Sequence, residues 1–253
     1  MAEPSTNHRP EQFARVTGSP GEAPRLTGLL RVIWPFVGSA LVAGYLLRAA
    51  FPHPPLNTTA IGAGFLALAG VLAWSVSLGR HRLHSYLKGA KGEEWVARLL
   101  GFLPASFRVY HGMHVAGTLL KGGSDYDHVV VGPTGVFLIE TKNWAGRITV
   151  QDGEVLYNGE KPDRPPLMQV KAAAAALRRD LRAEAHRGVD VQPVLCFAEG
   201  LLQGGRAGAA GVLICTRHTL MDTLQEQPEH TLPPAIQDKV VYYLDQQVAS
   251  RDE

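Results

Sequence analysis

Two carboxylates are predicted to face each other across a β-hairpin near the middle of the chain. Two runs rich in Val, Ile and Phe are separated by Gly132-Pro133-Thr134-Gly135, which is typical of a tight turn between antiparallel strands. Pairing Val131 with Val136 sets Asp127 opposite Glu140. Side chains at such positions lie roughly 5 Å apart, and like charges there destabilise the strand pair. A bound cation would remove the repulsion, and carboxylate oxygens suit Mg²⁺ or Mn²⁺.

The strands that hold these carboxylates are apolar on both faces, which is typical of central strands that are covered on both sides. Lys142 projects from the same face as Glu140 because side chains alternate along a strand with a period of two. One lysine compensates the negative charge of one carboxylate and leaves the charge of the other uncompensated. A solvated strand face with scattered charges is the common alternative, but two apolar faces place the charges at one end of a buried sheet.

The elements around the hairpin predict an α/β domain in which helices flank a mixed sheet. In chain order they are a helix, three strands, a helix and more strands. We expect helices over residues 88–103, 167–186 and 235–249. We expect strands at 107–111, 147–151, 154–157, 191–197 and 211–216, besides the two strands of the hairpin.

Two of the predicted helices carry polar side chains in their first turns. Glu93 precedes Val96 by three residues and Leu100 by seven, so it lies on the apolar stripe of the first helix. Glu94 lies four residues before a basic residue and forms an ordinary surface pair. Gln169 lies in the first turn of the helix after the sheet.

Four motifs together resemble the nuclease-related domain, NERD, of the PD-(D/E)xK restriction-endonuclease-like superfamily. The motifs are Lys91-Gly92-Glu93, Asp125-Tyr126-Asp127-His128, Gly132-Pro133-Thr134-Gly135-Val136 and Ile139-Glu140-Thr141-Lys142-Asn143-Trp144. The resemblance covers residues 88–200 and implies a restriction-endonuclease-like core. It implies that Asp127 is the metal-binding aspartate and that Glu140 and Lys142 form the E-x-K element. It also matches Glu93 to the glutamate of the first helix and Gln169 to the polar residue of the later helix.

The resemblance implies a divalent-metal-dependent nuclease that hydrolyses phosphodiester bonds in nucleic acid, with DNA as the expected substrate. Asp127, Glu140 and Glu93 would hold Mg²⁺ or Mn²⁺. The alternative is a catalytically weak or inactive, membrane-tethered module that binds nucleic acid or another partner. Residues 88–253 contain 18 Lys and Arg against 20 Asp and Glu. This part of the chain therefore lacks the excess of positive charge that is typical of proteins that bind duplex DNA tightly.

The N-terminal third contains two apolar stretches, 32–47 and 60–78, and the second has no charged residue. A bilayer-spanning helix needs roughly 20 such residues. We therefore expect a disordered cytoplasmic tail over residues 1–24, a two-helix transmembrane hairpin over 25–80 and the nuclease-like domain over 88–253. A buried soluble helix or a cleaved signal remains the alternative for the first stretch.

Basic residues flank the pair of stretches on both outer sides and are missing from the short connection between them. By the positive-inside rule, the chain is predicted to be a multi-pass protein of the cell membrane with its N-terminus and C-terminal domain in the cytoplasm. Arg80, Arg82, Lys88 and Lys91 are expected to set this topology rather than to recognise anionic lipid.

The remaining candidates predict no further site. His111 and His114 are three residues apart on a strand, so they point to opposite faces and are expected to be structural or exposed. His128 points away from the face of Asp127. Cys196 and Cys215 fall in predicted strands and are expected to be buried free thiols.

Overall fold

A computed structural model describes residues 13–20, 87–113, 126–226 and 231–249, together with some helical residues between 34 and 74. The chain divides into two compact units. The smaller unit is Glu22–Ala90, and the larger unit joins Met1–Gly21 to Lys91–Glu253.

The smaller unit contains the whole of the predicted membrane hairpin, residues 25–80. Among the described residues, none of the helices is both long and apolar enough to cross a bilayer. Most of residues 25–80 lies outside the described part of the chain, so the transmembrane hairpin stays a prediction. Several described helical side chains of this unit are large, apolar and exposed, among them Trp34, Leu41, Tyr45, Leu66 and Trp74.

The larger unit contains ten described strands and four described helices. The strands are β1 (Arg15–Thr17), β2 (Arg108–Met113), β3 (Tyr126–Gly132), β4 (Gly135–Lys142), β5 (Arg147–Gln151), β6 (Glu154–Tyr157), β7 (Gln192–Phe197), β8 (Leu201–Leu202), β9 (Arg206–Ala209) and β10 (Val212–Thr216). The helices are α1 (91–100 within this unit), α2 (Pro166–Glu184), α3 (Leu220–Gln225) and α4 (Pro234–Ala249).

Seven of these strands form one mixed sheet in the order β1-β2-β3-β4-β7-β10-β9. Strands β4, β7 and β10 are parallel neighbours, so their carboxyl ends meet at one edge of the sheet. Strand β3 is antiparallel to β4, and its first residues therefore lie at the same edge. A separate small sheet has the order β6-β5-β8. The predicted α/β class with a mixed sheet is confirmed.

The central strands are covered on both faces. Val129 and Leu138 belong to one apolar cluster, which also contains side chains of α2 and α4. Val130 and Phe137 belong to a second cluster, which contains side chains of α1 and α3. Alternate side chains of β3 and β4 therefore pack into two separate apolar cores, one on each face of the sheet, as expected for strands that are apolar on both faces.

Four short elements were not predicted from the sequence: β1, β8, β9 and α3. Strand β1 lies within the tail that was predicted to be disordered, so that prediction does not hold for residues 13–20. Arg15–Thr17 pairs in parallel with the start of β2. A strand of 3 residues has too few positions to show a periodic pattern, and its partner strand lies far away in the chain.

Candidate active site

The hairpin has the predicted register. Val131 pairs with Val136 and His128 with Ile139, so the next position in this register sets Asp127 beside Glu140. There the Thr141 backbone N–H donates a 2.8 Å hydrogen bond to Oδ2 of Asp127. The carboxylate of Asp127 is thereby fixed against the end of β4.

Glu140 is the centre of a hydrogen-bonded cluster of three polar side chains. Nζ of Lys142 lies 2.7 Å from its Oε1, and Nε2 of Gln169 donates to the same oxygen at 2.6 Å. Nζ of Lys142 also donates to Oε1 of Gln169 at 3.1 Å. The structure therefore brings together three of the five predicted site residues by direct contact, although Gln169 is distant from the other two in sequence.

The start of helix α2 places Gln169 next to Glu140. Proline begins the helix, and proline is favoured at this position because its fixed φ suits the first turn and no N–H is needed there. Leu167 and Val170 are buried on either side of Gln169 and anchor the first turn to the core. The amide of Gln169 itself lies at the exposed rim of the domain, so the cluster opens to solvent and a large substrate could reach it.

Glu93 is electrostatically part of the site. The pKa of Asp127 is raised well above its usual range by burial, and further by the charges of Glu140 and Glu93. The Thr141 N–H and the Lys142 ammonium act in the opposite direction. Helix α1 thus places Glu93 near enough for its charge to act on Asp127, as the apolar stripe predicted. The three carboxylates form a concentration of negative charge that favours proton or cation binding.

The donor set suits a hard cation, although its geometry is incomplete. Across the described residues, no three His, Cys, Asp or Glu side chains are grouped to hold a metal ion as they stand. Oδ2 of Asp127 and Oε1 of Glu140 accept the bonds described above, whereas Oδ1 and Oε2 accept none from the described residues. These two oxygens could bind Mg²⁺ or Mn²⁺, and Glu93, whose charge acts on Asp127, is the candidate for a third carboxylate ligand.

Gly92 allows α1 to approach the site, a role that the sequence did not reveal. A Cβ atom at this position would lie 2.7 Å from Cβ of Asn143 and 3.4 Å from Cβ of Ala198. Asn143 and Ala198 directly follow β4 and β7 at the carboxyl edge of the sheet. Glu93 is therefore positioned by the close contact of its neighbour with that edge.

Gly92→Ala is expected to lower stability and to displace Glu93. The added methyl group overlaps a short buried side chain, so α1 has to move, at a cost of about 1 to 3 kcal/mol. A shift of this kind is expected to reduce metal-dependent cleavage by roughly tenfold. The matched control is Gly89→Ala, whose Cβ would meet nothing within 4 Å. Equal effects of the two changes on unfolding and on cleavage would contradict this role for Gly92.

A buried histidine pair lies on the face opposite the carboxylates. His111 and His128 are paired neighbours on β2 and β3, and their Nδ1 atoms are 2.8 Å apart. Nε2 of His128 is buried and has no hydrogen-bond partner among the described residues. The sequence predicted that His111 and His114 point to opposite faces of a strand, and His114 lies outside the described residues. The contact that forms is between strands, so a search along one strand could not find it.

The two cysteines are buried free thiols, as predicted, and face each other across β7 and β10. Burial of Cys196 together with the adjacent Cys215 raises the pKa of the Cys196 thiol, chiefly through its hydrogen bond to Cys215.

Comparison with known proteins identifies the part of the chain that contains this site. Residues 88–198 match the family model described as NERD, the nuclease-related domain. A protein of Bacillus anthracis described as uncharacterized is 44% identical over 62 residues, which cover 24% of this chain and 29% of that protein. This chain therefore matches less than a third of that relative. No solved structure matches the chain. Residues 88–198 thus form a nuclease-related domain.

Proposed function

We propose that the larger unit is a divalent-metal-dependent, nuclease-like hydrolase that cleaves phosphodiester bonds in nucleic acid, with DNA as the expected substrate. The observation that supports this most strongly is the direct contact of Glu140, Lys142 and Gln169 beside Asp127 within the nuclease-related domain. Polar groups from two strands and a helix meet at the solvent-exposed edge of the sheet. Such convergence at an edge is typical of a catalytic site in an α/β protein.

Asp127 and Glu140 would hold the metal, with Glu93 as the third carboxylate. A bound Mg²⁺ or Mn²⁺ would supply a water of lowered pKa and would neutralise charge on the phosphate oxygens. The two hairpin carboxylates are fixed by the strand register, and the Thr141 N–H orients Asp127. Preorganisation of this kind avoids the cost of arranging charged groups during the reaction.

Lys142 would act on the substrate phosphate or on the attacking water, and Gln169 would hold Lys142 in place. The Lys142 ammonium is paired with Glu140 and lies at the solvent-facing side of the cluster. Once a cation compensates Glu140, this ammonium can turn to the scissile phosphate or orient the attacking water. The Gln169 amide donates to Glu140 and accepts from Lys142, so it holds both side chains in their relative positions.

The test is a cleavage assay with the purified full chain. Single-stranded DNA, double-stranded DNA and RNA are incubated with Mg²⁺, with Mn²⁺ and with a chelator. We expect cleavage of at least one substrate in either metal and none in the chelator. If the chain cleaves no substrate in either metal, or cleaves equally well in the chelator, the proposal is wrong.

A second candidate is a membrane-tethered module that binds nucleic acid or another partner with little or no turnover. The saturated Oε1 of Glu140 favours it, because Lys142 and Gln169 already satisfy that oxygen without a metal. The excess of acidic over basic residues in 88–253 also favours it. Absence of Mn²⁺ binding by the native chain would leave only this second candidate, whereas metal binding together with cleavage would favour the hydrolase.

We also propose that residues 25–80 anchor the chain in the cell membrane with the nuclease-related domain in the cytoplasm. The support is the length of the two apolar stretches and the basic residues outside them. Carbonate extraction of membranes from cells that produce the full chain should leave it in the pellet. Recovery in the supernatant would contradict an integral membrane anchor.

A further inference from the structure

Two cations lie over one aromatic ring near the candidate active site. Nζ of Lys91 is 4.7 Å and Cζ of Arg217 is 5.1 Å from the centroid of the Trp95 ring. We call Lys91, Trp95 and Arg217 the Trp95 cluster. The two positive charges are therefore within about 10 Å of each other.

Neither cation has an acidic partner within the described part of the chain. Nε of Arg217 donates instead to Nε2 of His218 at 3.2 Å, which orients the guanidinium without neutralising it. The indole ring attracts each cation, but it leaves their mutual repulsion in place. An anion bound between them would compensate both charges.

The Trp95 cluster lies at the same edge of the sheet as the carboxylates. Arg217 follows the carboxyl end of β10, and its N–H donates to the carbonyl of Phe197 at 3.1 Å. Phe197 pairs with Lys142. Arg217 is thus two strands away from Lys142, which is a backbone distance of about 10 Å at the usual strand spacing.

The helix component of the Trp95 cluster also borders the site. Lys91 and Trp95 flank Gly92, Glu93 and Glu94 on α1. Gly92 contacts Asn143, which immediately follows Lys142. Helix α1 packs on one face of the sheet, whereas α2, which carries Gln169, packs on the other. The cations therefore extend the candidate active site along the carboxyl edge on the α1 side.

We propose that the Trp95 cluster binds the phosphodiester backbone of the substrate strand next to the cleavage site. This inference rests on the proposed function and adds the place where the strand is held. A guanidinium can donate two parallel hydrogen bonds to one phosphate, and an ammonium acts as a point charge beside it. The ring holds both cations in position before the substrate arrives. Lys91 then has a role in recognition besides the topological role expected from the sequence.

The test measures binding without cleavage. The full chain is titrated into a labelled single-stranded oligonucleotide in the presence of a chelator, from 50 to 200 mM salt, and the anisotropy gives Kd. The variants are Lys91→Gln, Arg217→Gln and the double variant. Matched controls are Lys239→Gln on α4 and Arg187→Gln beyond the C-terminal end of α2, both exposed and remote from the carboxyl edge. Thermal unfolding of each variant checks the fold.

The double variant is expected to bind about tenfold more weakly, irrespective of sequence. It is also expected to lower the slope of log K against log salt by about 0.7 if the two cations share one phosphate and by about 1.4 if they contact two, since each neutralised phosphate on a single strand contributes about 0.7. The controls should change neither quantity. An unchanged Kd and slope in the double variant, or no binding by the native chain, would overturn the inference.

Two further outcomes separate this inference from the proposed function. If the native chain cleaves nucleic acid and the double variant keeps full affinity, the inference fails and the proposed function survives. If the double variant loses affinity but the native chain cleaves nothing in any metal, the inference survives and the proposed function fails. Binding to phosphatidylserine vesicles that the double variant loses, with oligonucleotide binding retained, would overturn it in favour of a lipid role.

Discussion

Asp127→Asn, Glu140→Gln and Lys142→Met are each expected to reduce metal-dependent cleavage by at least about 10²-fold, because in the proposed mechanism each of these charged groups acts on the phosphate or on its metal. The first two changes keep the shape of the side chain and remove its charge. The matched control is Asp152→Asn, which removes one carboxylate from the exposed turn between β5 and β6. Asparagine tolerates the positive φ of 51° at that position. Initial rates at saturating Mg²⁺ measure the effect.

The loss of cleavage in Asp127→Asn should not come from unfolding. The charged form of the partly buried Asp127 carboxyl is disfavoured by desolvation and by the charges of Glu140 and Glu93. The neutral amide avoids this cost, so the metal-free variant is expected to unfold at a higher denaturant concentration than the native chain. Cleavage by Asp127→Asn at the native rate, or a variant that is less stable than the native chain in chelator, would contradict the account of this residue.

The pH dependence of cleavage follows from the same electrostatics. The pKa of Asp127 is raised in the folded chain, so protons compete with the metal at this carboxylate. Metal affinity and cleavage should therefore increase as the pH rises through that pKa, and metal binding should release protons.

Stability is expected to fall steeply as the pH is lowered from 6.5 to about 4. Burial lowers the pKa of His111 from 6.5 to about 4, and burial together with the charge of His111 lowers the pKa of His128 well below its usual value. The unfolded chain therefore binds more protons than the folded chain in this range. His111 alone should account for a loss of about 3 kcal/mol, which is complete below its folded pKa. Denaturant unfolding at a series of pH values measures this loss.

The double variant His111→Phe/His128→Phe isolates the contribution of the pair. It removes both titrating rings together, so neither is left buried without its partner. Its free energy of unfolding should depend on pH much less than that of the native chain between 6.5 and 4. His218→Gln changes an exposed ring and should leave the native dependence intact. A double variant with the native pH dependence would show that other groups are responsible.

The parts of the site that were predictable from sequence follow from local periodicity. The position of Asp127 beside Glu140 depends only on a short turn and on alternation along two strands. Likewise, the inward direction of Glu93 depends only on the period of a helix. Periodicity alone could not place Gln169 in the site, because its contact with Glu140 depends on how α2 packs on the sheet. It was placed by the family resemblance rather than by a pattern in its own segment.

The parts that were missed depend on packing between distant segments. The contact of Gly92 with Asn143 exists because α1 crosses the carboxyl ends of β4 and β7, which no spacing within α1 reveals. His111 meets His128 only because β2 and β3 pair in one particular register. Arg217 approaches Trp95 for a similar reason, since β10 lies beside β7 although other elements separate the two strands in sequence.

Titration of the full chain with Mn²⁺ in a calorimeter shows whether Asp127 and Glu140 form a metal site. We expect saturable binding of one or two ions per chain, with proton release, and loss of that binding in Asp127→Asn and Glu140→Gln but not in Asp152→Asn. No binding by the native chain, or equal binding by Asp127→Asn, would contradict the metal site and would leave the binding module as the function of this domain.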